Sequence, residues 1–64
     1  MNKYMKIRRK HKLSREDLAQ RIGAPVKLVI IYERAEYPQP SLYYKTRFKN
    51  IFNCTNDDLK EEAE

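Results

Sequence analysis

The only glycine in the chain, Gly23, falls two residues before the first of three prolines, Pro25, and the other two, Pro38 and Pro40, stand two residues apart. This sparse punctuation restricts the fold more than any other feature. Two prolines so close cannot lie inside a helix, because each lacks an N–H and its ring clashes with the preceding turn. Between the breaks no apolar–polar alternation runs long enough for a strand, so the intervening segments read as helices. The expectation is an all-α fold, five short helices around one small core.

A basic first helix is predicted over residues 3–11, where Tyr4, Ile7 and His11 recur at helical spacing. In "LSREDLAQRIG", Ser14 is a capping candidate and Asp17, three residues on, is a shorter stand-in for the usual Glu. Leu18, Ala19 and Ile22 form an apolar stripe, and Gly23 closes this second helix where a left-handed residue is wanted. Pro25 suits the first turn of a third helix, since its missing N–H is unneeded there. The second and third helices together cover residues 14–34. Ser41 caps a fourth helix over residues 41–52, with Leu42, Phe48, Ile51 and Phe52 expected inward. An acidic last helix is predicted over residues 55–62, with Thr55 as cap, Asp58 at the box position, and Asp57 and Asp58 favouring the helix dipole.

Sixty-four residues allow one domain, near the lower size limit for folding without disulfides or metals. The single Cys54 cannot form an intrachain bridge, and with the single His11 it cannot build a metal site. No metal or other cofactor is expected, and a reducing cytoplasm is the natural compartment. The glycosylation pattern "NCT" at residues 53–55 carries no weight in a cytosolic chain. The longest apolar run, residues 28–32, is far short of a membrane span, and the opening "MNKYMKIRRK" lacks the apolar core of a secretory signal. An enzyme is not expected, and no catalytic residue is assigned. His11 has no acidic partner nearby in sequence, Cys54 reads as a small packed apolar residue, and no glycine loop exists to cradle phosphates.

Charge points the other way, towards a binding role. Fourteen Lys and Arg face nine Asp and Glu, and they are unevenly placed. Lys3, Lys6, Arg8, Arg9, Lys10, Lys12 and Arg15 all precede the first acid, Glu16, whereas residues 57–64 hold five acids against Lys60 alone. A basic end on a small domain suits phosphates, whose counterions are released on contact. A solvated helix face is the alternative.

These residues resemble the phage repressor and Cro-type (XRE) helix-turn-helix domains from about Tyr4 to Leu59, most specifically in "LSREDLAQRIGA". Ala19 stands where that family needs a small residue for close helix approach, Gly23 at its turn, and Val29 and Tyr32 at its buried third-helix positions. "PSL" at residues 40–42 and "NCTNDDL" at residues 53–59 agree with its entries to the fourth and fifth helices. The resemblance implies a lambda-repressor-like domain whose second and third helices form the helix-turn-helix. It also implies docking on double-stranded DNA, with the third helix in the major groove, as a homodimeric transcriptional regulator. It places Arg15, Arg34 and Ser41 at phosphate-facing positions and Val26, Lys27, Ile30 and Ile31 on the base-reading face. It pairs Arg8 with Glu33 in a salt bridge between the first and third helices.

Several positions depart from the family pattern. Pro25 replaces a Ser or Thr cap, and Ala35 replaces the usual Gly, so that the third helix could extend to Glu36. Lys45 and Lys49 fall where apolar residues are common. Three of the four base-facing residues are aliphatic, although base edges are read by donors and acceptors. Three roles for them compete. They could be core. They could press on thymine methyl groups, with Lys27 the sole polar reader and phosphate contacts supplying most of the affinity. They could instead form an interface with a twin or another protein through Val26, Ile30 and Ile31, since leaving each exposed forgoes about 1.5–3 kcal/mol relative to burial. Tyr37, Tyr43 and Tyr44 are expected half-buried with their hydroxyls in water.

Overall fold

A computed structural model describes residues 2–60. Those residues form five α-helices and no strand: α1 (Lys3–Lys10), α2 (Arg15–Ile22), α3 (Val26–Arg34), α4 (Leu42–Phe52) and α5 (Asn56–Leu59). The all-α expectation holds. Helix α2 packs most extensively against α3 and more lightly on α4, while α1 rests on α3 and α5.

Four of these five helices begin on a side chain that accepts a first-turn N–H. Ser14 Oγ accepts the Asp17 N–H at 3.0 Å and Ser41 Oγ accepts that of Tyr44 at 3.2 Å. Thr55 and Asp58 form a reciprocal capping box on α5. Pro25 opens α3 without a side-chain cap. Two helices end on left-handed residues. Gly23 (φ 82°) closes α2 with its N–H on the Ala19 carbonyl, and Asn53 (φ 52°) closes α4 on Lys49.

The ends of α3 and α5 are set by different means, and only that of α5 falls short of the expected span. Helix α3 stops at Arg34, the end of the expected 14–34 span, without the extension that Ala35 could have allowed: Ala35 is extended, and the buried Asn2 amide donates to the Tyr32 and Ala35 carbonyls at 2.6 and 2.9 Å. Asn2 also accepts the Met5 N–H, so one side chain starts α1 and finishes α3. Helix α5 stops at Leu59, short of residue 62, because Lys60 is already extended. Residues 61–62 of the expected helix lie outside the described residues.

Tyr4, Leu18, Ala19, Ile22, Val29, Tyr44, Phe48, Phe52 and Leu59 make the core. Aromatic rings run through it: Tyr4 meets Phe48 edge-on at 4.8 Å between centroids, and Tyr32 meets Tyr44 likewise at 4.6 Å. The inward face of α4 is therefore Tyr44, Phe48 and Phe52, with Ile51 half-buried. Leu42, expected inward, is 80% exposed, because it sits about 160° around the helix from Tyr44. Tyr44, expected to keep its hydroxyl in water, is only 1% exposed, and its Oη has no hydrogen-bond partner among the described residues. Burial, reinforced by the Glu33 carboxylate, pushes its phenol well above the usual range. Lys45 and Lys49 are half-buried at the margin of the core, and Lys49 Nζ donates to Asn56 Oδ1 at 3.0 Å.

Candidate nucleic-acid interface

Helix α3 has one face against the domain and one outside it. Val29 and Glu33 are buried, and Tyr32 packs beside them. On the opposite side Lys27, Ile30, Ile31 and Arg34 fall at i, i+3, i+4 and i+7, within about 100° of one another around the axis. Lys27 and Arg34 are exposed, Ile31 is 49% exposed and Ile30 is half-buried. The outer stripe is thus two isoleucines between two cations, spread over about 10 Å of helix. Ile31 is not core. Val26, expected on the same face, turns towards the Glu33 side and is half-buried against the core.

A buried ion cluster holds the base of this helix. Both oxygens of Glu33 are engaged: Arg8 Nε donates to Oε2 at 2.6 Å and Arg8 Nη2 to Oε1 at 3.1 Å. Arg8 Nη1 donates to the Leu13 carbonyl at 2.7 Å, fixing the α1–α2 connection. The expected Arg8–Glu33 pair is therefore present, and it has a third member. Arg15 Nε, from the first turn of α2, also reaches Glu33 Oε1 at 3.1 Å. The Glu33 side chain is fully buried and that of Arg8 nearly so, whereas that of Arg15 is 34% exposed. Two guanidiniums on one carboxylate leave a net positive charge, with Arg15 its exposed member. Among the described residues the Arg15 terminal nitrogens bond to nothing else. Glu16 and Asp17 beside it are exposed acids in the same turn, offsetting part of that charge.

Ser41 is exposed, and its hydroxyl oxygen is already used as the α4 cap, which leaves the O–H free to donate. Arg47, which sequence reasoning passed over, braces the α2–α3 turn. It donates from Nε to the Ile22 carbonyl and from Nη2 to the Arg21 carbonyl, both at 3.2 Å, and its guanidinium lies 5.8 Å from the Tyr43 ring centre. Its position one turn after Tyr43 was the only available signal. Asn2 was missed for a similar reason, since its partners lie thirty and thirty-three residues away.

Elsewhere, His11, Cys54 and Asp58 line a groove of about 380 Å³ between α1 and the α4–α5 junction. His11 Nδ1 donates to the Ile7 carbonyl oxygen at 2.9 Å, and its ring packs on Phe52. Burial, and secondarily Asp58, pushes the Cys54 thiol up, away from the reactive thiolate. Among the described residues no three His, Cys, Asp or Glu side chains converge as a metal site, and no helix is long and apolar enough to cross a membrane.

No protein-family model matches this chain, and searches of curated proteins and of solved structures return no significant match. Function must be argued from the site alone.

Proposed function

We propose that this chain is a cytoplasmic, non-enzymatic DNA-binding regulator of the repressor/Cro type, a lambda-repressor-like domain that sets α3 into the major groove and works as a homodimer. The observation that carries it is the outer stripe of α3, where Lys27 and Arg34 bracket Ile30 and Ile31 on the face turned away from the core. Supporting it are the Arg15 guanidinium held at the mouth of the ion cluster, the Ser41 O–H, and a net charge of +5. Phosphates supply most of the affinity in this scheme, through Arg15, Arg34, Ser41 and Lys27. A homodimer follows from the small surface that one such module buries.

Fluorescence anisotropy with mixed-sequence duplex DNA at several ionic strengths tests the proposal. Salt-sensitive binding is expected; absence of binding at low salt would defeat it.

A second function has its own support. Tyr37, Leu42 and Tyr43 are 51%, 80% and 57% exposed, in addition to Ile31. These side chains suit a protein partner, in which case the scaffold serves as an interaction module. Sedimentation of the free protein, compared with Ile31→Ser, separates a twin from a foreign partner.

A further inference from the structure

The middle of the outer α3 face carries no hydrogen-bond donor or acceptor. Ile30 and Ile31 occupy it, and the nearest polar groups on that stripe, Lys27 and Arg34, lie one turn away at either end. Val26 leans into the domain and leaves the centre to the two isoleucines. In the major groove every base pair shows donors and acceptors, and the only apolar group offered is the C5-methyl of thymine. An aliphatic centre therefore cannot read the polar edges. Pressed against a G·C pair, it would strip water from the cytosine amino group and the guanine acceptors and give nothing back. Pressed against a methyl group, it gains by excluding water from both surfaces. The cationic ends of the stripe match the phosphate-lined walls of the groove, which selects duplex DNA over an uncharged partner for this face.

Building on the DNA-binding role proposed above, we propose that Ile30 and Ile31 make this chain a reader of C5-methylated pyrimidines, selecting thymine-bearing steps through the methyl group rather than through hydrogen bonds. Ile31, the more exposed, carries the larger share. The chemical class recognised is the 5-methylpyrimidine edge, so 5-methylcytosine substitutes for thymine at the contact. The methyl contribution is independent of ionic strength, because it releases no counterions.

The experiment compares poly(dA-dT) with poly(dA-dU), and poly(dG-dC) with its 5-methylcytosine form, by anisotropy at fixed salt with the intact chain. Each pair differs by the methyl group and keeps its Watson–Crick hydrogen bonds. The methylated member is expected to bind more tightly, by about fourfold for each methyl buried, the factor corresponding to ~0.8 kcal/mol per carbon. Ile31→Ser should remove most of that preference, while its helical circular dichroism and its salt slope stay as in the parent. Ile30→Ser should do the same to a smaller degree. Equal affinity within both pairs overturns the inference while leaving DNA binding intact, as does a preference that survives both substitutions. Failure to bind any polymer overturns it together with the DNA-binding role. A free-protein dimer that Ile31→Ser dissolves also overturns it, because a second copy would then cover the face.

Discussion

Arg8 and Glu33 meet fork to fork in the interior of the domain, Nε on Oε2 at 2.6 Å and Nη2 on Oε1 at 3.1 Å, with Arg15 joining from the rim at 3.1 Å. The two arginines should consequently behave differently when removed. Arg8→Ala leaves a buried carboxylate with one partial partner, a loss of about 3–5 kcal/mol. A domain of this size has little more than that in total, so the variant is expected to be largely unfolded by circular dichroism at 25 °C. Arg15→Ala touches a partly exposed pair worth about 1 kcal/mol or less, so it should melt near the parent temperature. Its effect belongs in DNA titrations, as an even loss across sequences.

Tyr44→Phe should stabilise the protein. The phenol oxygen is buried without a partner among the described residues, and deleting it removes a desolvation penalty of about 1 kcal/mol or more. In a domain this small that amounts to a rise in Tm of about 4–8 °C per kcal/mol. The same residue sets an alkaline limit. Its folded pKa is raised, so its contribution is fully present below the unfolded value of about 10 and is lost as pH climbs towards the higher folded value. Urea melts should show stability falling above pH 10 in the parent, with that component missing in Tyr44→Phe.

Gly23→Ala should destabilise through the backbone. The residue holds φ at 82°, and left-handed geometry costs a residue with a Cβ about 1–2 kcal/mol. The new carbon would also stand 3.0 Å from Tyr43 Oη, but that hydroxyl ends a flexible, exposed side chain and can swing aside. Adding Tyr43→Phe should therefore recover little of the lost Tm. Full recovery would mean that the clash, and not the backbone, sets the cost.

Salt dependence gives the most direct check on the interface. Log K against log salt should fall with a slope of about −4, as for four or five neutralised phosphates. Arg34→Ala should reduce its magnitude by about one without changing sequence preference. Lys27→Ala should alter both, because that ammonium stands on the stripe itself. A slope unchanged by either substitution would place the DNA contacts elsewhere on the domain.

Much of this organisation was legible in the residues. Ser14, Gly23, Ser41 and Thr55 mark helix ends by local chemistry that needs no distant partner, and all four serve as read. The inward or outward direction of α3 followed from helical phase, and Ile31 lies outside as that phase required. Val26 and Leu42 were less legible. Val26 lies about 20° from Glu33 around α3 and Leu42 about 160° from Tyr44 around α4, so each follows from which buried residue anchors the inward face. The end of α3 at Arg34 agrees with the expected span, but its cause, the Asn2 amide on the Tyr32 and Ala35 carbonyls, lies in a distant part of the chain.

What the residues determined unaided is the local programme: a chain of caps, stripes and breaks that admits five short helices, with cations gathered before Glu16. Those effects act within a few residues, and periodicity records them. The tertiary structure decided what no local rule contains. It placed Arg15 on the carboxylate already shared by Arg8, set Arg47 across the α2 terminus, and sealed the Tyr44 hydroxyl away from water. Such contacts join residues far apart in the chain, and they exist only once the helices have packed.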